Sequence, residues 1–174
     1  MDFGILKIIC GALTNPLLLQ WPETESNCRH DQEAASLRWE NVDMDAKTFT
    51  LHDTKNRNSH TLPMSDFLLE IFKRRQEAKM NEYVFSANSD TGHLIEPRKA
   101  MLKVAELSGV SFTVHDLRRT FVTMAESLEI PAYVLKRLLN HNMNHDVTAD
   151  YIIMDIERLR KPVQKISDYF RIIC

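Results

Sequence analysis

His115 and Arg118 stand three positions apart in the run Thr113-Val-His115-Asp-Leu-Arg118-Arg-Thr-Phe121, and on a helix that spacing turns both side chains to one face. An imidazole and a permanently charged guanidinium then converge on a small anion, for which a phosphodiester is the natural guest. His141 follows in Leu138-Leu-Asn-His141, and Tyr151 closes Asp146-Val-Thr-Ala-Asp-Tyr151 with a phenol able to act as a nucleophile. Singly, each has a plainer reading: His115 as a surface residue at a helix start, His141 as a C-terminal cap favoured by the helix dipole, Tyr151 as a half-buried packing residue. Together they read as a phosphate-handling site that carries its own nucleophile.

The chemistry sets further demands. A phenol with an ordinary pKa near 10 is a poor nucleophile at neutral pH until cations and a proton acceptor assist it. Cleaving DNA without losing the bond energy needs a covalent phosphate ester and positive charge on the two non-bridging oxygens of a five-coordinate transition state. Arg118 can grip such oxygens bidentately, and His115 and His141 can donate to them or accept the phenol proton. Arg, Lys and His supply the charge, so no metal or other cofactor is called for. His60 and His145 form no credible ligand spacing with His141.

Four further segments accompany His-x-x-Arg: Glu33-Ala-Ala-Ser-Leu-Arg-Trp-Glu-Asn-Val-Asp43, Asp53-Thr-Lys-Asn-Arg-Asn-Ser-His-Thr-Leu-Pro63, Leu138-Leu-Asn-His141 and Asp146-Val-Thr-Ala-Asp-Tyr151. In this order the chain resembles the catalytic domain of the tyrosine recombinases, the phage integrase family, over about residues 28 to 168. The resemblance implies an α+β, mainly α-helical fold with a small antiparallel β-sheet or hairpin. It implies attack by Tyr151, a 3′-phosphotyrosine, and a free 5′-hydroxyl later rejoined to another strand. It adds Lys55, on a hairpin, as the acid for the leaving 5′-oxygen, although alone Lys55 is an ordinary hairpin lysine. It adds Arg29 as the second phosphate clamp.

The family usually shows Arg-x-x-Glu after a Gly-containing turn, whereas Arg29 precedes Glu33 by four positions and follows Pro22-Glu-Thr-Glu-Ser-Asn27. The four-residue spacing still keeps both side chains on one helix face. Arg119, turned about 100° from Arg118, suits the DNA backbone or a carboxylate better than the scissile phosphate. The implied partners are double-stranded DNA and further copies of the chain in a tetramer on DNA, with no membrane and no small-molecule substrate. A second reading is a catalytically impaired DNA-binding remnant, and a topoisomerase of the related tyrosine class is a more distant third.

The organisation agrees with one domain. A chain of 174 residues with 44% hydrophobic content can fill a single core. Three cysteines, Cys10, Cys28 and Cys174, without a disulfide-like pattern fit a reducing cytoplasm. Phe3 to Leu19 is the most apolar stretch, but Lys7 and the Thr14-Asn15-Pro16 break favour a surface or partner-facing helix over a signal peptide. The net charge of −2 is unlike a DNA binder's, yet acids cluster in residues 23 to 53 while Arg98, Lys99, Lys103, Arg118, Arg119, Lys136 and Arg137 are gathered later. That distribution is either solvated helix faces or a local basic groove. The chain divides into a divergent N-terminal segment (1–27), an integrase-like catalytic domain (28–168) and a tail (169–174). The family's separate N-terminal DNA-binding domains have no room here, which reads the chain as a fragment.

Local patterns predict the elements that must hold the site. A helix is expected over Asp31 to Arg38, with Trp39 leading into extended structure. Lys47 to His52 and Ser59 to Pro63 alternate as two strands of a hairpin. Ser65 is an N-cap for a helix to about Met80, Glu82 to Ser86 a short strand, and Ser86 to His93 a polar loop. Pro97 and Gly109 bracket a helix carrying Met101, Leu102, Val104, Ala105 and Leu107. A helix from near His115 turns Leu117, Phe121, Met124 and Leu128 inward, and one opened by Pro131 buries Val134, Leu135, Leu138 and Leu139 before ending at Asn140-His141. The amphipathic end, with Val163, Ile166, Tyr169 and Phe170, packs on its own core or docks on a neighbouring protomer, and Ile172-Ile173-Cys174 favours the protomer.

Overall fold

Alternation in Thr48-Phe-Thr-Leu51 and His60-Thr-Leu-Pro63 builds the sheet, because successive residues of a strand face opposite sides. In the computed structural model, which describes residues 35–52, 59–94, 98–141 and 155–173, strand β1 (Val42–Asp43) pairs antiparallel with β2 (Thr48–Leu51), and β2 with β3 (His60–Pro63). The register sets Phe49 against Leu62 and Leu51 against His60 on the buried face. Thr50 and Thr61 meet on the other face with their hydroxyls 2.9 Å apart. The β1–β2 turn is closed by the Asp43 carboxylate, which accepts from the Asp45 and Ala46 amides, and by Lys47 at φ 52°.

Among the described residues five helices follow: α1 (Asp66–Glu77), α2 (Arg98–Ser108), α3 (Val114–Ser127), α4 (Ala132–Leu138) and α5 (Glu157–Ile173). Ser65 caps α1 as expected, its Oγ accepting from the Leu68 amide. Phe72 of α1 sits at the centre of the core, its ring meeting those of Trp39, Phe49 and Phe85 at centroid distances of 6.1 to 6.4 Å. From α3 come Leu117, Phe121 and Ala125, and from α4 Val134, Leu135 and Leu138, all buried in the same cluster. Among the described residues, no helix is long and apolar enough to cross a membrane.

The structure differs from the sequence reading in several places. Residues 31–34 lie outside the described set, but Arg38 is not helical: it forms a β-bridge with Tyr83, and a one-turn 3-10 helix (Trp39–Asn41) precedes β1. Glu82 to Ser86 is not a strand. Trp39 donates to Glu82 and Val84 to Leu37 on one side, and Leu94 donates to Phe85 on the other, so the segment makes isolated bridges, Arg38 with Tyr83 and Ser86 with His93, and does not join the three-stranded sheet. Helix α2 ends before Gly109 at φ 70°, as read, yet among its described side chains only Val104 is buried, and Leu102 and Leu107 are exposed.

The apolar stripe of α5 packs in cis. Leu159, Val163, Ile166 and Phe170 recur at helical spacing along one side of α5 and are buried in the core, while Ile172 is exposed. Three polar anchors fix the helix. Arg160 donates to the Ala46 carbonyl at 2.8 Å, Gln164 Oε1 accepts from the Asp66 amide at the start of α1, and Lys165 donates to the Leu128 carbonyl at the end of α3. The apolar stretch Phe3 to Leu19 lies outside the described residues.

Candidate active site

A reciprocal cap fixes the first turn of α3. Thr113 takes an extended backbone and its Oγ1 accepts from the Asp116 amide, while the Asp116 carboxylate accepts from the Thr113 amide at 2.9 Å and its hydroxyl at 2.7 Å. These bonds, with the positive charges of Arg119 and His115 as smaller contributions, hold the Asp116 carboxyl below its ordinary range. Burial of Leu117 orients the helix, so that His115 and Arg119 are exposed and Arg118 is half-buried. The motif residues His115 and Arg118 are therefore set one turn apart on a capped, core-anchored helix.

The other half comes from the end of α4. Asn140 adopts the left-handed conformation, φ 52°, its amide donates to the Arg137 carbonyl at 3.1 Å, and the His141 amide donates to the Lys136 carbonyl at 2.9 Å. This pair of bonds is the Schellman termination, and Asn tolerates the left-handed position better than most residues. Leu138 and Leu139 are buried, so the chain turns outward after them and His141 emerges exposed.

The two halves meet. Arg118 Nη2 donates to the Leu139 carbonyl at 3.4 Å and to His141 Nε2 at 2.5 Å. A guanidinium only donates, so in this contact His141 Nε2 is the acceptor. Lys136 and Arg137 are the basic residues of the last turn of α4. The structure thus brings Arg118 together with His141 and sets His115 on the helix of Arg118. Arg29, Lys55 and Tyr151 lie outside the described residues.

Sequence reasoning weighed His60 only as a metal ligand and set it aside. It is 2% exposed on β3, its imidazole hydrogen-bonds to the backbone of Arg137, and Nε2 has no partner among the described residues. Desolvation by burial, then the Arg137 charge, lower its pKa to about 4, against which the backbone hydrogen bond works.

The phage integrase family model matches residues 30–158. The chain belongs to that family. This integrase domain is 32% identical over 146 residues to the prophage integrase IntF of Escherichia coli K12, covering 79% of the chain and 31% of that protein. It is 26% identical over 125 residues to the integrase of Shigella phage Sf6, covering 69% of the chain and 32% of the relative. The integrase from mycobacterium phage Brujita shares its fold with a TM-score of 0.63 at 18% identity, over 91% of this chain and 51% of the solved one. The chain therefore spans about a third of the length of these curated relatives.

Proposed function

We propose that this integrase domain cleaves and rejoins strands of double-stranded DNA through Tyr151. The phenolate oxygen attacks the phosphorus, the bond to the 5′-oxygen breaks, and a 3′-phosphotyrosine and a 5′-hydroxyl result; reversal onto another strand completes recombination. Arg118 and Arg29 grip the non-bridging oxygens, His115 and His141 donate to them or take the phenol proton, and Lys55 protonates the departing oxygen. The observation that carries the reading is the contact between Arg118 and His141, two side chains distant in sequence and held by separate capped helices.

The domain boundaries read from sequence (1–27, 28–168, 169–174), a cytoplasmic setting and assembly as a tetramer on DNA belong to the same proposal. The experiment is incubation with a nicked suicide substrate, followed by denaturing electrophoresis. A covalent protein–DNA adduct that disappears in Tyr151→Phe supports cleavage. DNA binding without any adduct supports the second reading, a DNA-binding remnant, which the four-residue Arg29–Glu33 spacing favours.

A further inference from the structure

Arg160 ties the first turn of α5 to the sheet. Its Nε donates to both carboxylate oxygens of Glu157, at 2.9 and 2.8 Å, one turn back on the same helix. Nη2 donates to the Ala46 carbonyl at 2.8 Å and Nη1 to the Lys47 carbonyl at 3.4 Å, across 114 and 113 residues of chain. One planar fork thus holds a helix start and a β-turn together, a geometry that an ammonium does not reproduce. The turn is a firm support. The Asp43 carboxylate closes it, and the Lys47 carbonyl also accepts from the Met64 amide, just after β3, at 2.8 Å.

Short bonds close the helix start itself. The Glu157 amide donates to Asp155 Oδ1 at 3.2 Å, the Arg158 amide to the Asp155 carbonyl at 3.1 Å, and the Leu159 amide to the Ile156 carbonyl at 3.0 Å. Asp155 is therefore fixed relative to the sheet through Arg160. Tyr151 stands four residues before Asp155 and ten after His141. Such lengths of chain reach at most about 14 Å and about 35 Å. The attachment at Asp155 is the tighter restraint on where the phenol can go.

We propose that Arg160 is a positioning residue for strand cleavage: by clasping Glu157 to the Ala46 and Lys47 carbonyls, it fixes the point from which the chain bearing Tyr151 is tethered. The assignment rests on the reading of Tyr151 as the nucleophile, while the clasp exists without DNA. In-line attack needs oxygen and phosphorus held within about 3 to 3.5 Å, and a misplacement of about 1 Å costs up to about 10²-fold. Packing alone does not call for this arginine. Leu159 and Val163 already bury the inner side of this end of α5, and the Arg160 side chain keeps 30% of its surface exposed.

The test compares Arg160→Met and Arg160→Lys with Lys165→Met in the full chain. Lys165 is the matched control, because its Nζ ties α5 to the Leu128 carbonyl at 2.8 Å, five residues further along, and takes no part in the clasp. Single-turnover cleavage of the nicked substrate at saturating DNA should slow about tenfold or more in Arg160→Met, with DNA affinity within about twofold. Arg160→Lys should stay at least about threefold slow, since one ammonium cannot span Glu157 and both carbonyls. Lys165→Met should cleave within about twofold of the parent. Amide hydrogen exchange at Arg158 and Leu159 should rise about tenfold in Arg160→Met and hold at the parent level in Lys165→Met. Equal slowing in Arg160→Met and Lys165→Met would reduce Arg160 to general docking of α5 and overturn the proposal, as would exchange at Arg158 and Leu159 unchanged by Arg160→Met. If Arg160→Met does not fold, the contrast of Arg160→Lys with Lys165→Met decides the matter. Absence of an adduct in the parent protein would instead overturn the cleavage reading, and the exchange comparison would still test the clasp.

Discussion

Arg118 on α3 donates to His141 Nε2 at 2.5 Å, across 23 residues of chain and between the first half of one helix and the turn that ends the next. α3 begins with a side-chain capping box, and α4 ends with a backbone turn through Asn140. Each side chain is therefore positioned by local bonds before the two meet, which is what a site acting by electrostatic positioning requires.

Arg118→Lys keeps the charge and loses the fork that can hold His141 and a phosphate oxygen together. Adduct formation on the nicked substrate should drop by about 10² or more, in line with loss of one oxyanion-type donor. The thermal midpoint should move by only a few degrees, because Arg118 is half-buried and Leu117 and Phe121 carry the helix packing. A Lys variant that cleaves within threefold of the parent would remove Arg118 from the chemistry.

Thr113→Ala removes the side-chain half of the capping box, leaving the Asp116 amide without its Oγ1 acceptor and the Asp116 carboxylate without its hydroxyl donor, while the backbone amide of residue 113 still donates to that carboxylate. Urea unfolding should show a loss of about 1 kcal/mol, and Thr113→Ser should recover most of it. Because the Asp116 carboxyl is held low by these same bonds, its titration followed by NMR should move up toward the ordinary carboxylate range in Thr113→Ala.

Left-handed residues give a second stability test. Glu129 at φ 57° ends α3 with the same pair of backbone bonds that Asn140 makes at the end of α4: Glu129 donates to Glu126, and Ile130 to Ala125. Glu129→Gly should stabilise the domain by about 0.5 to 1 kcal/mol, since glycine takes this conformation without a Cβ penalty. Asn140→Val should do the reverse by about 1 kcal/mol or more and also disturb the His141 ring signals. Chemical denaturation of both variants against the parent checks the signs.

Much of this was legible in the chain. The Ser65 cap, the hairpin strands and the inward faces of α3 and α4 followed from residue types whose physical preferences are local. Leu138-Leu-Asn-His141 announces its geometry: two buried leucines, a residue tolerant of positive φ, then an exposed histidine. The contact of His141 with Arg118 is not local and came only from the order of motifs. Glu82 to Ser86 looked like a strand because its alternation is real, but its backbone bonds are divided between Leu37 to Trp39 and His93 to Leu94, so only isolated bridges form. His60 was weighed only as a metal ligand, although its burial had a signal. It shares strand parity with buried Leu62, so the alternation that built the hairpin also places a histidine in the core.

Docking of α5 in cis predicts that its apolar stripe matters to the isolated chain. Phe170 is 0% exposed and lies four residues beyond buried Ile166. Phe170→Ala should cost about 3 to 5 kcal/mol by cavity formation, whereas Ile172→Ala, at an exposed position, should change stability by about 0.5 kcal/mol or less. A Phe170 variant as stable as the parent at concentrations where the protein is monomeric would show that this face is not part of the domain's own core.

His60 sets the acid side of the stability profile. Its pKa falls from 6.5 to about 4 on folding because the core desolvates the ring and Arg137 repels its charge. The unfolded chain therefore binds the proton more readily than the folded one between these values, and folding stability must decrease as pH drops from about 6.5 toward 4. At 1.36 kcal/mol per tenfold the displacement corresponds to about 3 kcal/mol, fully present above pH 6.5 and spent near pH 4. In His60→Asn, which cannot titrate, urea midpoints should be nearly flat across that window, apart from the contributions of other groups. A parent protein whose midpoint does not fall between pH 6.5 and 4.5, or a His60→Asn profile that falls just as steeply, would show that the buried imidazole is not the group responsible.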